Sequence, residues 1–250
     1  MPRLRQIVLP AWLLCIGVGS AIWGGTFLPI FAKRHAIQQA AASIVDGRTF
    51  DTGYLDRLLI ASPSADRYCE ASKLNAEVIV RLRLYEVAVS TASREGVSTG
   101  LERLQQTVTA ALSCNPALSF LWLLSYWMEV NQNGFSPRAV DFLRMSYNTG
   151  PYEGWIAVKR NSFALAVFDR LPPEVANRVR QEFAALVRSS FYVEAYANLM
   201  GAGWTRRDEL LASLTEVPEL KRYEFAKYLR SKGNYLEIPG LEPFAQRPWK

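Results

Sequence analysis

Apolar residues recur at intervals of three and four along most of the chain, which is the spacing of one face of an α-helix. The clearest stretch is residues 66–94. Its apolar face carries Leu74, Val78, Leu82, Tyr85 and Val89. A second apolar face runs through residues 101–112, and Gly96 and Gly100 stand between the two stretches. We therefore expect a long helix, a glycine turn and a second helix that returns beside the first.

Glycines and prolines divide the rest of the chain into shorter stretches with the same spacing. They predict helices at residues 120–130, 138–147, 154–171, 173–189, 193–200, 207–214 and 218–232. No run before the C-terminal tail alternates like a β-strand, so the predicted fold is all-α. The tail, residues 238–250, contains three prolines and cannot be helical. It is either an extended strap over the helices or a frayed terminus.

The helical stretches also suggest an internal repeat. Trp122 and Trp155 are 33 residues apart, and Pro116 and Pro151 are 35 residues apart. A tetratricopeptide repeat (TPR) pairs two helices with a period of about 34 residues, with Trp near its start and Pro near its end. The small residues expected where its two helices cross are misplaced in this chain. We therefore predict a degenerate, TPR-like array of antiparallel helix pairs over residues 66–237.

An uncharged stretch of 25 residues lies near the N-terminus, at residues 7–31. A helix of about 20 apolar residues spans the hydrocarbon core of a bilayer, so this stretch predicts a transmembrane helix. A cleaved signal peptide is the alternative. As an anchor, it would separate a cytoplasmic tail at residues 1–6 from a juxtamembrane helical linker at residues 32–65. The TPR-like domain at 66–237 and the proline-rich tail at 238–250 would follow.

Basic residues flank this stretch, with Arg3 and Arg5 before it and Lys33 and Arg34 after it. A short basic tail before the first apolar segment favours an uncleaved signal-anchor with its N-terminus inside. The predicted localisation is therefore the inner membrane, in a single pass, with the bulk of the chain in the periplasm. The net charge is +6, but without these four residues the chain is nearly neutral. We expect the flanking cations to meet the lipid bilayer and expect no nucleic-acid partner.

Three cysteines occur in the chain. Cys15 lies in the uncharged stretch, Cys69 lies near the start of the first long helix, and Cys114 lies at the end of the next. In an antiparallel hairpin those two ends are neighbours, so we predict a disulfide between Cys69 and Cys114. The alternative is two unrelated thiols that pack as small apolar side chains.

Catalytic signatures are scarce. His35 is the only histidine, and no CxxC pair, phosphate-binding loop or dinucleotide-binding glycine pattern is present. The carboxylates are scattered along the chain. We therefore predict no catalytic residue, no metal site and no cofactor, and we expect that the chain is not an enzyme.

Two groups of residues are candidates for binding. Gly17, Ala21 and Gly25 recur at intervals of four, and such small-residue faces let membrane helices approach closely. They predict docking on a membrane protein or self-association through the membrane helix. The second group consists of aromatic and basic residues. Its rings either stack on a bound sugar or belong to the core. Its cations either line a groove or lie on an ordinary solvated face. Its members are Arg81, Arg83, Trp122, Tyr126, Trp155, Lys159 and Arg160.

Several segments resemble one protein family. They are residues 114–123 (CNPALSFLWL), 143–147 (LRMSY), 150–156 (GPYEGWI), 182–187 (EFAALV) and 247–249 (RPW). The family consists of Gram-negative single-pass membrane proteins with a TPR-like periplasmic domain, encoded among polysaccharide polymerisation and export genes. It has no established catalytic residues to carry over. The resemblance implies a role in polysaccharide assembly.

These patterns lead to one functional expectation and two alternatives. We expect a membrane-anchored periplasmic adaptor that assists cell-surface polysaccharide assembly or export. Its partner would be an integral membrane protein of the cell envelope, such as a polysaccharide polymerase or exporter. The alternatives are a TPR-like assembly factor for another envelope complex and a carbohydrate-active enzyme.

Overall fold

A computed structural model of the chain describes residues 2–61 and 69–241, with side-chain surroundings for residues 12, 14–25, 35–61 and 69–241. All regular secondary structure in this part is helical, which confirms the all-α prediction. The predicted boundary between residues 65 and 66, and residues 242–250 of the predicted tail, lie outside the described residues. Two compact units divide the chain, an N-terminal unit (Met1–Asn115) and a C-terminal unit (Pro116–Lys250).

The N-terminal segment forms one continuous helix, α1 (Pro2–Val45), through the predicted anchor. The predicted single-pass membrane localisation is wrong, because no helix in the described part of the chain combines the length and the apolar character that a bilayer crossing needs. Gly17, Ala21 and Gly25 are exposed on α1. The docking role predicted for them presupposed the membrane span.

The described part of the N-terminal unit contains three more helices: α2 (Thr52–Ala61), α3 (Ala71–Ser90) and α4 (Arg94–Cys114). A small apolar core joins the end of α1 to α2 and α3. Its buried members are Ile37, Ala40, Ala41, Leu55, Ala76 and Val80. On α3 the core takes Ala76 and Val80, whereas of the apolar face predicted for this helix Val78 is buried and Val89 is half exposed.

The predicted turn at Gly96 and Gly100 is wrong, because both glycines lie inside α4. The Ser93 side chain accepts a hydrogen bond from the Gly96 backbone N–H at 3.2 Å, and this cap starts the helix two turns earlier than expected. A Cβ at Gly100 would lie 3.6 Å from the Tyr85 ring, which is an ordinary contact. The actual turn contains Ala92, whose φ of 52° is in the left-handed region.

Cys69 and Cys114 form a disulfide, as predicted. It closes the open end of the α3–α4 hairpin, with 5.4 Å between the two Cα atoms and 45 residues between the cysteines in sequence. Cys15 is a free and exposed thiol.

Up to residue 241, the C-terminal unit contains seven α-helices: α5 (Ser119–Asn133), α6 (Pro137–Thr149), α7 (Gly154–Leu165), α8 (Pro173–Arg188), α9 (Tyr192–Met200), α10 (Arg207–Ala212) and α11 (Glu219–Ser231). Short 3-10 helices lie at Phe168–Arg170, Trp204–Arg206 and Ser213–Glu216. The buried side chains of these helices form one apolar core that includes Phe183 and Phe225. Those two rings meet edge to face, with centroids 6.3 Å apart.

Disulfide prediction. Thiol labelling of the denatured, unreduced protein should modify Cys15 alone, because the other two cysteines are joined. Replacing both with alanine should lower the free energy of unfolding of the N-terminal unit by up to about 4 kcal/mol. Without the crosslink the unfolded chain gains conformational entropy, which favours unfolding. Cys15→Ala should leave stability unchanged. Labelling of three thiols in the unreduced protein would contradict the pairing.

Candidate functional site

A surface groove of about 790 Å³ runs along α8 in the C-terminal unit. We call it the α8 groove. It is lined by Tyr147, Pro151, Tyr152, Asn177, Arg178, Arg180, Gln181, Glu182, Ala184, Ala185, Arg188, Glu209, Ala212, Ser213, Thr215 and Glu216. Its volume is in the range of small-molecule sites.

The sequence of α8 explains why one wall of the groove is polar. Pro173 occupies the first turn, where its missing N–H is no loss, and Arg188 in the last turn complements the helix dipole. Val175, Val179 and Phe183 are completely buried in the core. The opposite side of the same helix is therefore left to the polar residues that face the groove.

Several of these polar side chains have no internal partner. Among the described residues, Asn177, Arg178 and Gln181 form no hydrogen bond or ion pair through their side chains. Arg180 is committed to Glu209, with 2.9 Å between Nη1 and Oε2. Tyr152, at the mouth, is 95% exposed. The groove thus presents two amides, a guanidinium and a phenol that are available to a ligand, together with the exposed Glu216 carboxylate.

A buried ion pair supports the floor of the groove. Arg160 is 0% exposed and Glu182 is 6% exposed. Arg160 Nη2 and Nε donate to Glu182 Oε1 at 2.6 and 2.9 Å. A guanidinium that donates two bonds to a carboxylate is held in a fixed orientation.

The remaining donors of Arg160 are satisfied by α6 and the turn after it. Nη1 donates to the Ser146 carbonyl at 2.6 Å, and Nη2 donates to the Gly150 carbonyl at 3.0 Å. Its charge lies 4.2 Å from the centre of the Tyr147 ring, and the Tyr147 hydroxyl donates to Glu182 Oε2 at 2.8 Å. We call Ser146, Tyr147, Gly150, Arg160 and Glu182 the Arg160 network. It ties α6, α7 and α8 together.

The electrostatics of the Arg160 network fit a structural role. Burial raises the pKa of Glu182, and the Arg160 guanidinium opposes that rise. Burial, together with the neighbouring Glu182 carboxylate, raises the pKa of Tyr147 well above its ordinary value. Both oxygens of Glu182 already accept hydrogen bonds within the protein, so this carboxylate is not available to exchange protons with a ligand.

A second polar contact extends the support to α9. Asn161 Nδ2 donates to the Val179 carbonyl at 2.9 Å, and Asn198 Nδ2 donates to Asn161 Oδ1 at 3.1 Å. Asn161 and Asn198 are buried. These bonds fix α8 and α9 against α7, so the groove wall is anchored from below.

The predicted binding cation Arg160 does not lie at a surface groove, because it is buried in the network described above. Lys159, its neighbour in sequence, is exposed. In the N-terminal unit, Arg83 pairs with Glu86 at 3.0 Å, and Arg81 is partly buried in a cleft.

The predicted aromatic residues take different positions. Tyr126 is buried against Phe163, and burial raises its pKa to about 12. Trp122 is partly buried, and its Nε1 donates to the Pro116 carbonyl at 2.7 Å. Trp155 is 63% exposed, with its ring 5.4 Å from that of Phe120. None of the three lines the α8 groove.

Sequence reasoning did not identify the groove residues of α8. Asn177, Gln181 and Arg188 recur at helical spacing on one side of the helix, but such a pattern is also typical of an ordinary solvated face. No group of three His, Cys, Asp or Glu residues in the described part of the chain could hold a metal ion.

Ion-pair prediction. Glu182→Gln should lower the free energy of unfolding by about 3–5 kcal/mol, because it leaves the Arg160 charge buried without its counter-charge. The double variant Arg160→Met/Glu182→Leu should be more stable than the sum of its single variants predicts, by at least about 1 kcal/mol. Denaturant unfolding of the wild type, Arg160→Met, Glu182→Leu and the double variant measures this coupling. Strictly additive losses would show that the pair is not coupled.

Glycine prediction. A Cβ at Gly150 would overlap Ser119 Oγ and lie 2.5 Å from Ser119 Cβ, so α5 or the turn must move to accept it. Gly150→Ala should therefore cost about 1–3 kcal/mol of stability in thermal or denaturant unfolding. Gly100→Ala is the matched control. It adds a methyl to the interior of α4 in ordinary contact with Tyr85, and should be neutral or stabilising by up to about 1 kcal/mol. Equal stability of the Gly150 variant and the wild type would contradict the close approach.

Comparison with known proteins gives no match to this chain among family models, curated proteins or solved structures.

Proposed function

We propose that this protein is a binding scaffold, an adaptor that assists cell-surface polysaccharide assembly or export by holding an extended segment of a partner protein in the α8 groove. One observation carries the proposal. Polar side chains without partners inside the protein line the groove, whereas the side chains of the Arg160 network beneath them form their hydrogen bonds within the protein. A rigid floor under available donors and acceptors lowers the entropy lost when a ligand is ordered there.

A TPR-like arrangement of the C-terminal unit is part of the proposal. Successive first helices of the pairs, α5, α7 and α9, begin at Ser119, Gly154 and Tyr192, which are 35 and 38 residues apart. Side-chain hydrogen bonds recur at similar separations: Ser119 to Glu153, Tyr147 to Glu182, and Asn198 to Asn161. These intervals are close to the TPR period of about 34 residues. Stacked helix pairs present extended surfaces and act by binding.

The chemistry of the groove favours a peptide segment with acidic character. Asn177 and Gln181 carry amides that both donate and accept, so they can pair with the backbone N–H and C=O groups of an extended chain. Arg178 offers a cation that suits a carboxylate. Arg188 reaches only the Glu216 carbonyl, at 3.5 Å, which leaves most of its donors for a ligand.

The link to polysaccharide assembly has a separate support. It comes from the resemblance of segments such as residues 114–123 and 150–156 to proteins encoded among polysaccharide genes. The Pro116 and Trp122 that belong to the first segment contact each other, and the second segment contains Gly150, which the Arg160 network requires. The resembling segments are thus among those that build the C-terminal unit.

Scaffold prediction. Deletion of the gene should change the amount or chain length of the surface polysaccharide in the organism that encodes the protein. Wild-type protein should restore it, whereas Arg178→Glu/Arg188→Glu should not, because two reversed charges would repel an acidic segment. Polysaccharide profiles on gels measure the outcome, and circular dichroism of the purified variant confirms that it is folded.

The matched control for this experiment is Lys159→Glu/Lys227→Glu. It makes the same change in net charge at two exposed residues outside the groove. It should restore the polysaccharide like the wild type. A normal polysaccharide in the deletion strain would rule out the polysaccharide role, and restoration by the groove variant would rule out the α8 groove as the binding surface.

A further inference from the structure

The N-terminal unit contains an arginine pair with no role in the α8 groove. Arg81 on α3 and Arg103 on α4 line a cleft of about 390 Å³, together with Asp56 on α2. The same three residues line a second, adjoining cleft. Two cations and one carboxylate therefore face a common space.

Arg81 is unusual among the arginines of this protein. Its Nε–H is buried and has no hydrogen-bond acceptor within the described residues. Arg206 and Arg222 also have a buried Nε without an acceptor. However, their terminal nitrogens are occupied, by Asp169 and Glu209 for Arg206 and by the Pro239 carbonyl for Arg222. No nitrogen of Arg81 has such a partner among the described residues.

The positive charge of Arg103 lies close enough to the Arg81 guanidinium to act on it. Burial lowers the pKa of Arg81, and the nearby Glu77 carboxylate opposes that fall; the positive charge of Arg103 lowers the pKa further, and Asp56 raises it. Neither Arg81 nor Arg103 forms an ion pair within the described part of the chain. On the same helix, Arg83 does find a carboxylate, that of Glu86. A buried donor without an acceptor calls for an additional group, such as a water or an anion.

We infer that the Arg81–Arg103 cleft binds a phosphate group, either as the free ion or as part of a small phosphate ester. A phosphate has oxygens enough to accept from both guanidiniums at once and carries the negative charge that removes their repulsion. The cleft is larger than the ion itself, so it has room for the organic part of an ester. Asp56, together with Glu77 one turn before Arg81, partly neutralises the cations and limits the affinity. The inference does not depend on the function proposed for the α8 groove.

Calorimetric titration of the full chain with inorganic phosphate, at constant ionic strength set by sodium chloride, tests this inference. The wild type should bind one phosphate. Arg81→Gln and Arg103→Gln should each weaken binding at least about tenfold, because each removes a charge-assisted donor. Asp56→Asn should strengthen binding, because it removes the competing carboxylate.

Arg83→Gln is the matched control, since it removes the same charge from the same helix outside the cleft. It should bind like the wild type. Arg103 is exposed, so its variant remains informative even if the Arg81 variant does not fold, which circular dichroism would show.

A titration with glycerol 3-phosphate separates the two sources of the group. Tighter binding than inorganic phosphate assigns the site to an ester, and equal binding assigns it to the free ion. Absence of phosphate binding by the wild type, or equal weakening in the Arg83 variant, would overturn the inference.

Discussion

The buried ion pair of Arg160 and Glu182 is the constraint on which the C-terminal unit depends. Removing two charges from water carries a desolvation penalty that their attraction only partly offsets, so such a pair is weak support for stability on its own. Its effect here is on geometry. Arg160 has to meet Glu182, the Ser146 carbonyl and the Gly150 carbonyl together, and only one relative position of α6, α7 and α8 satisfies all of them.

That positional demand matters because the surrounding core is made of similar apolar side chains. Amphipathic helices packed on Leu, Val and Ala can shift by one turn with little change in buried area, since residues at i and i+4 lie on the same face. A shift of one turn would separate the charges of Arg160 and Glu182 inside the protein and leave both without partners. The Arg160 network therefore selects one register, and the α8 groove takes its shape from that register.

The sequence predicted the helices well and their environment poorly. The pattern predicts a helix at residues 173–189 and α8 is Pro173–Arg188, because a helix that packs against a core needs apolar residues at intervals of three and four. The turn expected at Gly96 and Gly100 failed because the Ser93 cap satisfies the first turn of α4 and outweighs the weak helix propensity of two glycines. The disulfide followed from the hairpin alone, since antiparallel helices bring Cys69 and Cys114 to the same end. Arg160 could not be assigned in this way. Its partner is 22 residues away on another helix, and a charged residue in a helical stretch is usually solvated.

Two of the environments in which arginine occurs in this protein separate structure from binding. Arg160 uses its donors internally and is inaccessible, so its charge belongs to the fold. Arg178 in the α8 groove and Arg81 in its cleft have no internal acceptor among the described residues, yet neither is fully solvated. A partly desolvated guanidinium binds an anion more strongly than an exposed one, because less water has to be displaced and the local dielectric is lower. A partly desolvated arginine without an acceptor raises the free energy of the unbound protein, and an anion that binds to it removes that cost. Such arginines therefore indicate a binding surface better than fully buried or fully exposed charges do.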